Sequence, residues 1–152
     1  MVPLVRLLLG GALLVFGAIS LPVRADLACK VTPPDGWRPD KVEWEGECRM
    51  GTAEGLGVLT QQAGPQHNFY FFGRVKHGEP DVGVLETDEG YEAGVFRQGK
   101  LSPSDDRQVA INAFRVAAMA AQQAAERYRK RGKLGLARDF RKKARQLQEQ
   151  MD

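Results

Sequence analysis

Residues 44–59 read WEGECRMGTAEGLGVL, with four glycines in sixteen positions, Gly46, Gly51, Gly55 and Gly57. Glycine loses more backbone freedom on folding than any other residue, so a folded segment carries this many only where the chain path requires them. The overlapping run KVEWEGEC alternates, with Val42, Trp44 and Cys48 on one side and Glu43, Glu45 and Glu47 on the other. That is the period of a strand with one buried and one wet face. Gly51 falls where a hairpin must turn, because tight hairpin turns need the positive φ that glycine accepts. Gly46 falls inside the strand, where a missing side chain lets an aromatic from the neighbouring strand lie across the backbone. Trp44 is the candidate here, and Phe71 is its counterpart beside Gly73.

Further β signals follow at GVLT (57–60), NFYFFGRVK (68–76), VGVLET (82–87) and YEAGVFRQ (91–98). Glycine, proline, asparagine and aspartate punctuate the gaps, as in a β-meander. The glycines also repeat. Trp44-x-Gly46-x4-Gly51-x3-Gly55-x-Gly57 is followed by Phe71-x-Gly73-x4-Gly78, then Gly83 after a one-residue shortening. A partial third copy is Gly94-x4-Gly99, preceded by Tyr91. The five-residue Gly46–Gly51 interval thus recurs at 73–78 and 94–99, the kind of register that marks a repeat.

This pattern resembles the MORN-repeat family, whose signature is aromatic-x-Gly-x4-Gly-x3-Gly-x-Gly. The resemblance covers residues 42–100, with the first copy complete and the other two degenerate. It implies successive β-hairpins in a twisted sheet that serves as a scaffold for protein partners or membrane surfaces. Three hairpins make a thin sheet that needs a cap and a covalent tie.

Composition changes near Lys100. Residues 26–106 hold 15 acidic and 8 basic residues, whereas 107–152 hold 4 acidic and 12 basic. SPSDD offers Ser102 as a helix N-cap, Pro103 at the first helical position, and Asp105 and Asp106 near the positive end of the dipole. Ile111, Phe114, Ala118, Ala121, Ala125 and Tyr128 recur at helical spacing. After a break at Gly132 and Gly135, so do Ala137, Phe140, Ala144, Leu147 and Met151. The spacing predicts a helical hairpin over 102–151, and hence an α+β chain with the hairpin as cap. Tyr128, Gly132, Ala137 and Ala144 fall at tetratricopeptide-like intervals, but a single copy reads as a generic helical pair.

The N-terminal run 1–25 has an early charge at Arg6, an apolar stretch and a small-x-small end at Val23-Arg24-Ala25. This predicts a secretory signal peptide cleaved after Ala25; the competing reading is an uncleaved anchor. Export places the mature chain in the periplasm or outside the cell. Cys29 and Cys48 then form a disulfide tethering a proline-rich loop, 26–41, and close a ring contributing about 3 kcal/mol. Two cysteines without a nearby histidine supply half a zinc shell, so no metal is expected.

No motif brings a nucleophile to a base. His67 and His77 lie beside turns, and the three glutamates of the first strand read as a solvated face. The chain is therefore read as a non-enzyme without cofactors. In FYFF (69–72), Phe69 and Phe71 share one face and Tyr70 and Phe72 the other. Aromatics on both faces mean that the helices cover one of them or that it binds something. The basic run 126–145 holds ten cations and two carboxylates.

The expected function is a protein-binding adaptor or accessory subunit of an envelope or secretion assembly. Its expected contact residues are Trp44, Tyr70, Phe72 and Tyr91 on the sheet, with Arg127, Arg129, Lys130, Arg131, Arg141 and Lys142 on the helices. The alternative is an anionic membrane surface bound through the basic helices, and a minor third is cell-wall glycan. Export argues against nucleic acid. The oligomeric state stays open.

Overall fold

A computed structural model describes residues 28–152, so the expected signal peptide lies outside the described residues. Six strands form an antiparallel meander in sequence order: β1 (Val42–Arg49), β2 (Thr52–Gly64), β3 (His67–Lys76), β4 (Glu79–Thr87), β5 (Gly90–Arg97) and β6 (Lys100–Leu101). Two helices follow, α1 (Arg107–Lys130) and α2 (Leu134–Glu149). The α+β expectation therefore holds. The two-residue β6 has no signal in the alternation pattern, because its length allows none.

The glycines have two jobs. The turns at Met50-Gly51, His77-Gly78 and Gln98-Gly99 are two-residue loops, and both residues of each have positive φ, between 50° and 80°. That is the requirement of a type I′ hairpin, whose twist matches the strands it joins. The strand glycines stand opposite one another instead. Gly46 pairs with Gly57, Gly57 with Gly73, Gly73 with Gly83 and Gly83 with Gly94, a row crossing five strands. The Trp44 indole lies over Gly46 and Gly57, and the Phe71 ring over Gly73 and Gly83. Each aromatic therefore lies over the glycine two residues along its own strand and that glycine's cross-strand partner. The expected direction, from the neighbouring strand, is corrected. A side chain leaning along its own strand reaches the i+2 position, and glycine there leaves the pleat open.

The one-residue shortening of the second copy is a difference between bulges rather than loops. Between the glycine row and the first turn, Gly55 and Leu56 have no partner on β1. Between the row and the second turn, only Asp81 lacks a partner on β3. Extra residues in a strand bend it and raise its twist. Asp81 also gathers Arg74 at 2.8 Å, with Lys76 and Arg97 at 3.5 Å.

The sheet is covered on both sides. On one face, Ala53, Leu59, Phe71, Val75 and Phe96 form a core with Val31, Trp37, Trp44 and Leu101 packed at its margin. The N-terminal segment lies across the three I′ turns at the end of the sheet. The Lys30 N–H donates to the Gly51 carbonyl (2.8 Å), Thr32 to Gly78 (2.7 Å) and Asp35 to Gly99 (2.8 Å). Cys29 and Cys48, with Cα atoms 5.7 Å apart, tie this strap to β1. Pro34 is buried, and Trp37 lies 6.4 Å from Phe69 between ring centres.

On the opposite face, α1 lies across the strands and α2 packs on α1. The helices thus cover a face of the sheet instead of capping its ends. Seven alanines of α1 are buried: Ala113, Ala117, Ala118, Ala120, Ala121, Ala124 and Ala125. They spread over more than one stripe because α1 is sandwiched between the sheet and α2. Small side chains there let the elements approach closely. Of the expected α2 stripe, Ala137, Phe140, Ala144 and Leu147 are buried as the spacing predicts, whereas Met151 lies beyond the helix end at Glu149 and is half-buried.

Two helix boundaries differ from expectation. The N-cap is Asp106, whose side chain accepts the Gln108 N–H at 2.8 Å, rather than Ser102. Ser104 Oγ accepts the Asp106 N–H, so 102–106 forms a turn that feeds the cap, and Pro103 precedes the helix. Gly132 (φ 75°) ends α1, with the Lys133 N–H donating to the Tyr128 carbonyl, as in a Schellman motif. Gly135 lies inside the first turn of α2.

Gly57→Ala should destabilise the protein by about 1–3 kcal/mol, since the new methyl meets the Trp44 ring and the Glu45 carbonyl. Gly135→Ala should stabilise it by about 0.5–1 kcal/mol, since the site is open and helical. Urea denaturation midpoints of the two variants check both signs.

Candidate functional site

The four aromatics expected to be displayed are packed instead. Phe72 is fully buried and lies 6.3 Å from Phe140 of α2 between ring centres. Tyr70 stacks on Phe72 at 5.4 Å and meets Phe140 edge-on. Tyr91 meets Phe114 of α1 at 5.8 Å, edge to face. These three belong to the sheet–helix core, and Trp44 is half-buried in the opposite one. Helix coverage is thus the reason FYFF carries aromatics on both faces. Phe72 cannot act as a contact residue in this fold, and Tyr70 and Tyr91 spend their apolar area on the helices.

Two cations of the basic run also turn inward. Arg131 donates to Glu45 at 2.6 Å and lies 4.8 Å above the Tyr128 ring. Lys143 donates to Glu86 at 2.6 Å and lies 5.2 Å from the centre of the Tyr70 ring. The acidic sheet and the basic helices are therefore joined across their interface. The Glu45 side chain is only 16% exposed, so the glutamate face of β1 is not uniformly wet at this end. Contact between the halves is visible in sequence only as their opposite charge, because the partners are 86 and 57 residues apart.

Burial raises the phenol pKa of Tyr128, helped by the nearby Glu45 charge, and raises that of Tyr91, helped by Glu86. The Glu45 carboxylate likewise holds the Arg131 guanidinium above its ordinary value by hydrogen bonding.

The remaining cations, Arg127 apart, face outward. Arg129 pairs with Glu126 in two hydrogen bonds, at 2.8 and 2.6 Å, and draws the Glu126 carboxyl below its usual range. Lys130, Lys133, Arg138, Arg141, Lys142 and Arg145 are exposed, and none has a carboxylate within 4.0 Å among the described residues. Arg127 is half-buried, and its Nε has no partner among the described residues. Arg138, Arg141 and Arg145 follow helical spacing on the side of α2 away from Phe140 and Leu147. A shallow groove of about 140 Å³ runs between the helices beside them, lined by Gln122, Arg141, Arg145 and Gln148. Leu134 and Leu136 are exposed at the start of α2. Arg138 and Arg145, which were not among the expected contact residues, are exposed on α2 together with the expected Arg141 and Lys142.

No family model, curated protein or solved structure matches the chain.

A phenol whose folded pKa is raised stabilises the fold below the unfolded value and loses that contribution as pH rises through the folded one. Stability should therefore fall as pH rises above about 10, the ordinary phenol value. Tyr91→Phe with Tyr128→Phe should flatten that alkaline slope, as measured by urea midpoints at stepped pH.

Proposed function

We propose that this chain is an exported, non-catalytic, MORN-like adaptor that docks on an acidic protein of the cell envelope. Its contact surface is the outer side of the helical hairpin, around Arg138, Arg141, Lys142 and Arg145, continued on α1 by Arg129 and Lys130. One observation carries this reading: both faces of the sheet are covered, while the exposed Lys130, Arg138, Arg141, Lys142 and Arg145 on the helices have no carboxylate partner among the described residues. The glycine spacing and three I′ hairpins support the MORN-like scaffold. The apolar run 1–25 supports export.

An acidic protein fits this surface better than a bilayer. The apolar stripe of α2 is used up on α1 and the sheet, so the hairpin has no broad apolar face to insert between lipids. Guanidinium groups pair with carboxylates in planar, two-pronged hydrogen bonds, which gives a protein partner both orientation and specificity.

The test is cross-linking in envelope preparations with the wild type and with Arg138→Glu/Arg141→Glu/Arg145→Glu. The wild type should capture a stoichiometric partner through an acidic patch. The triple variant should lose it, and Lys substitutions in that patch should restore it. Charge reversal without loss of capture refutes the helical surface. Flotation with phosphatidylglycerol vesicles at physiological salt should be negative for both proteins. Flotation that disappears in the triple variant would put a lipid surface in place of the protein partner.

A further inference from the structure

α1 and α2 lie antiparallel, with the Tyr128 and Phe140 rings 5.3 Å apart between centres. Their facing stripes are buried, and each helix carries a second stripe on the outer flank of that seam. On α2 it is Leu134, Arg138, Arg141, Arg145 and Gln148, at spacings of 4, 3, 4 and 3. On α1 it is Arg115, Met119, Gln122, Glu126 and Arg129, at the same spacings. Every one of these residues is exposed. Residues three and four apart share one helix face, so the two stripes form the walls of one groove. Its middle is the hollow of about 140 Å³ where Gln122 meets Arg141, Arg145 and Gln148, with Ala144 also lining it.

The walls are cationic. Arg115, Arg138, Arg141 and Arg145 have no carboxylate within 4.0 Å among the described residues. Glu126, the one carboxylate of the two stripes, is taken by Arg129 at 2.6 Å. That carboxyl is held down first by the Arg129 hydrogen bond, and also by the charges of Lys130 and of Arg141 on the other helix. The unpaired arginines attract a partner of opposite sign. Apolar groups stand only toward the two ends, where Leu134 is 64% and Met119 48% exposed. With Tyr128 and Phe140 level, these two lie about 20 Å apart along the hairpin at 1.5 Å per residue. Ala144 in the hollow is small, which lets another helix come close.

These features fit one shape of partner. A helix laid in the groove presents its side chains at intervals of three and four residues. Carboxylates at that spacing meet Arg138, Arg141 and Arg145 in turn. An extended chain presents same-face groups about 7 Å apart. That is out of step with rises of about 4.5 and 6 Å between the three arginines.

We infer that the partner of the helical hairpin docks an acidic amphipathic helix in this groove, completing a three-helix arrangement with α1 and α2. Its carboxylates pair with Arg138, Arg141 and Arg145, and apolar side chains at its two ends cover Leu134 and Met119. The inference rests on the adaptor reading above and adds the shape of the docked element.

The probe is an acetylated and amidated alanine–glutamine helix of about 20 residues, long enough to form in water. It carries Leu, three Glu and Leu at the spacing of the α2 stripe. In a titration at physiological salt followed by amide chemical shifts, it should perturb residues 115–129 and 134–148 and spare the strap. One control peptide has Gln in place of the three Glu. A second keeps the composition but moves the Glu residues off the stripe. Each control should bind about tenfold more weakly, the scale of three partly exposed ion pairs. Leu134→Ala should weaken the parent peptide and leave an alanine-ended one unaffected. Equal binding of the rearranged peptide, no effect of Leu134→Ala, or no shift at millimolar parent peptide overturns the inference. Any of these, with partner capture still lost on Arg138→Glu/Arg141→Glu/Arg145→Glu, removes the docked helix and keeps the acidic docking surface. Capture that survives the charge reversal removes both.

Discussion

Paired strands normally hold their side chains about 5 Å apart on each face, which leaves no room for a large ring to lie flat on the sheet. Here five strands each place a glycine in one line, from Gly46 to Gly94. Two aromatics, Trp44 and Phe71, fold down into the space this opens. The indole N–H is satisfied as well, donating to the Glu47 carbonyl at 2.9 Å. With the rings flat, the inner face is low enough for the strap to cross the turns and for Phe71 to meet Phe96 edge-on at 5.2 Å. The register of β1 to β4 follows from the same line, since sliding one of these strands by one residue would set a side chain against a ring.

The two coverings have different chemistry. The strap is held by backbone hydrogen bonds to the carbonyls of three turn glycines, by one buried proline and by a cysteine pair at disulfide distance. Turn geometry and strap position are thus coupled: the glycines that permit the I′ turns also present the acceptors. The helices are held by aromatic contacts and small side chains, with Arg131–Glu45 and Lys143–Glu86 bridging the interface. Glu86 keeps one buried oxygen without a partner among the described residues, so this pair contributes orientation more than stability.

Local periodicity made the meander, the helical hairpin and the α2 stripe legible in sequence. Features that depend on pairing distant strands were not. The glycine row requires knowing that Gly57 stands between Gly46 and Gly73, and two bulges of unequal length intervene before the turns. Strand alternation placed Tyr70 and Phe72 on one face correctly. It could not say what covers that face, because Phe140 and Phe114 arrive from elements far along the chain. The Asp106 cap was obscured by Ser102-Pro103, a stronger textual signal four residues earlier. Gln61 carried no signal at all, since its burial depends on the strap folding back onto β2.

Covering both faces leaves the helix exterior as the surface that displays unpaired cations among the described residues. The face that holds Phe71 and Phe96 stays covered only while the strap is a fixed part of its core. Hydrogen–deuterium exchange at single-residue resolution tests this directly, through the amides of Lys30, Thr32 and Asp35. The account predicts that all three exchange as slowly as amides in the middle of β3, because their release requires the sheet end to open. Exchange at the rate of an exposed loop, with β3 still protected, would contradict it.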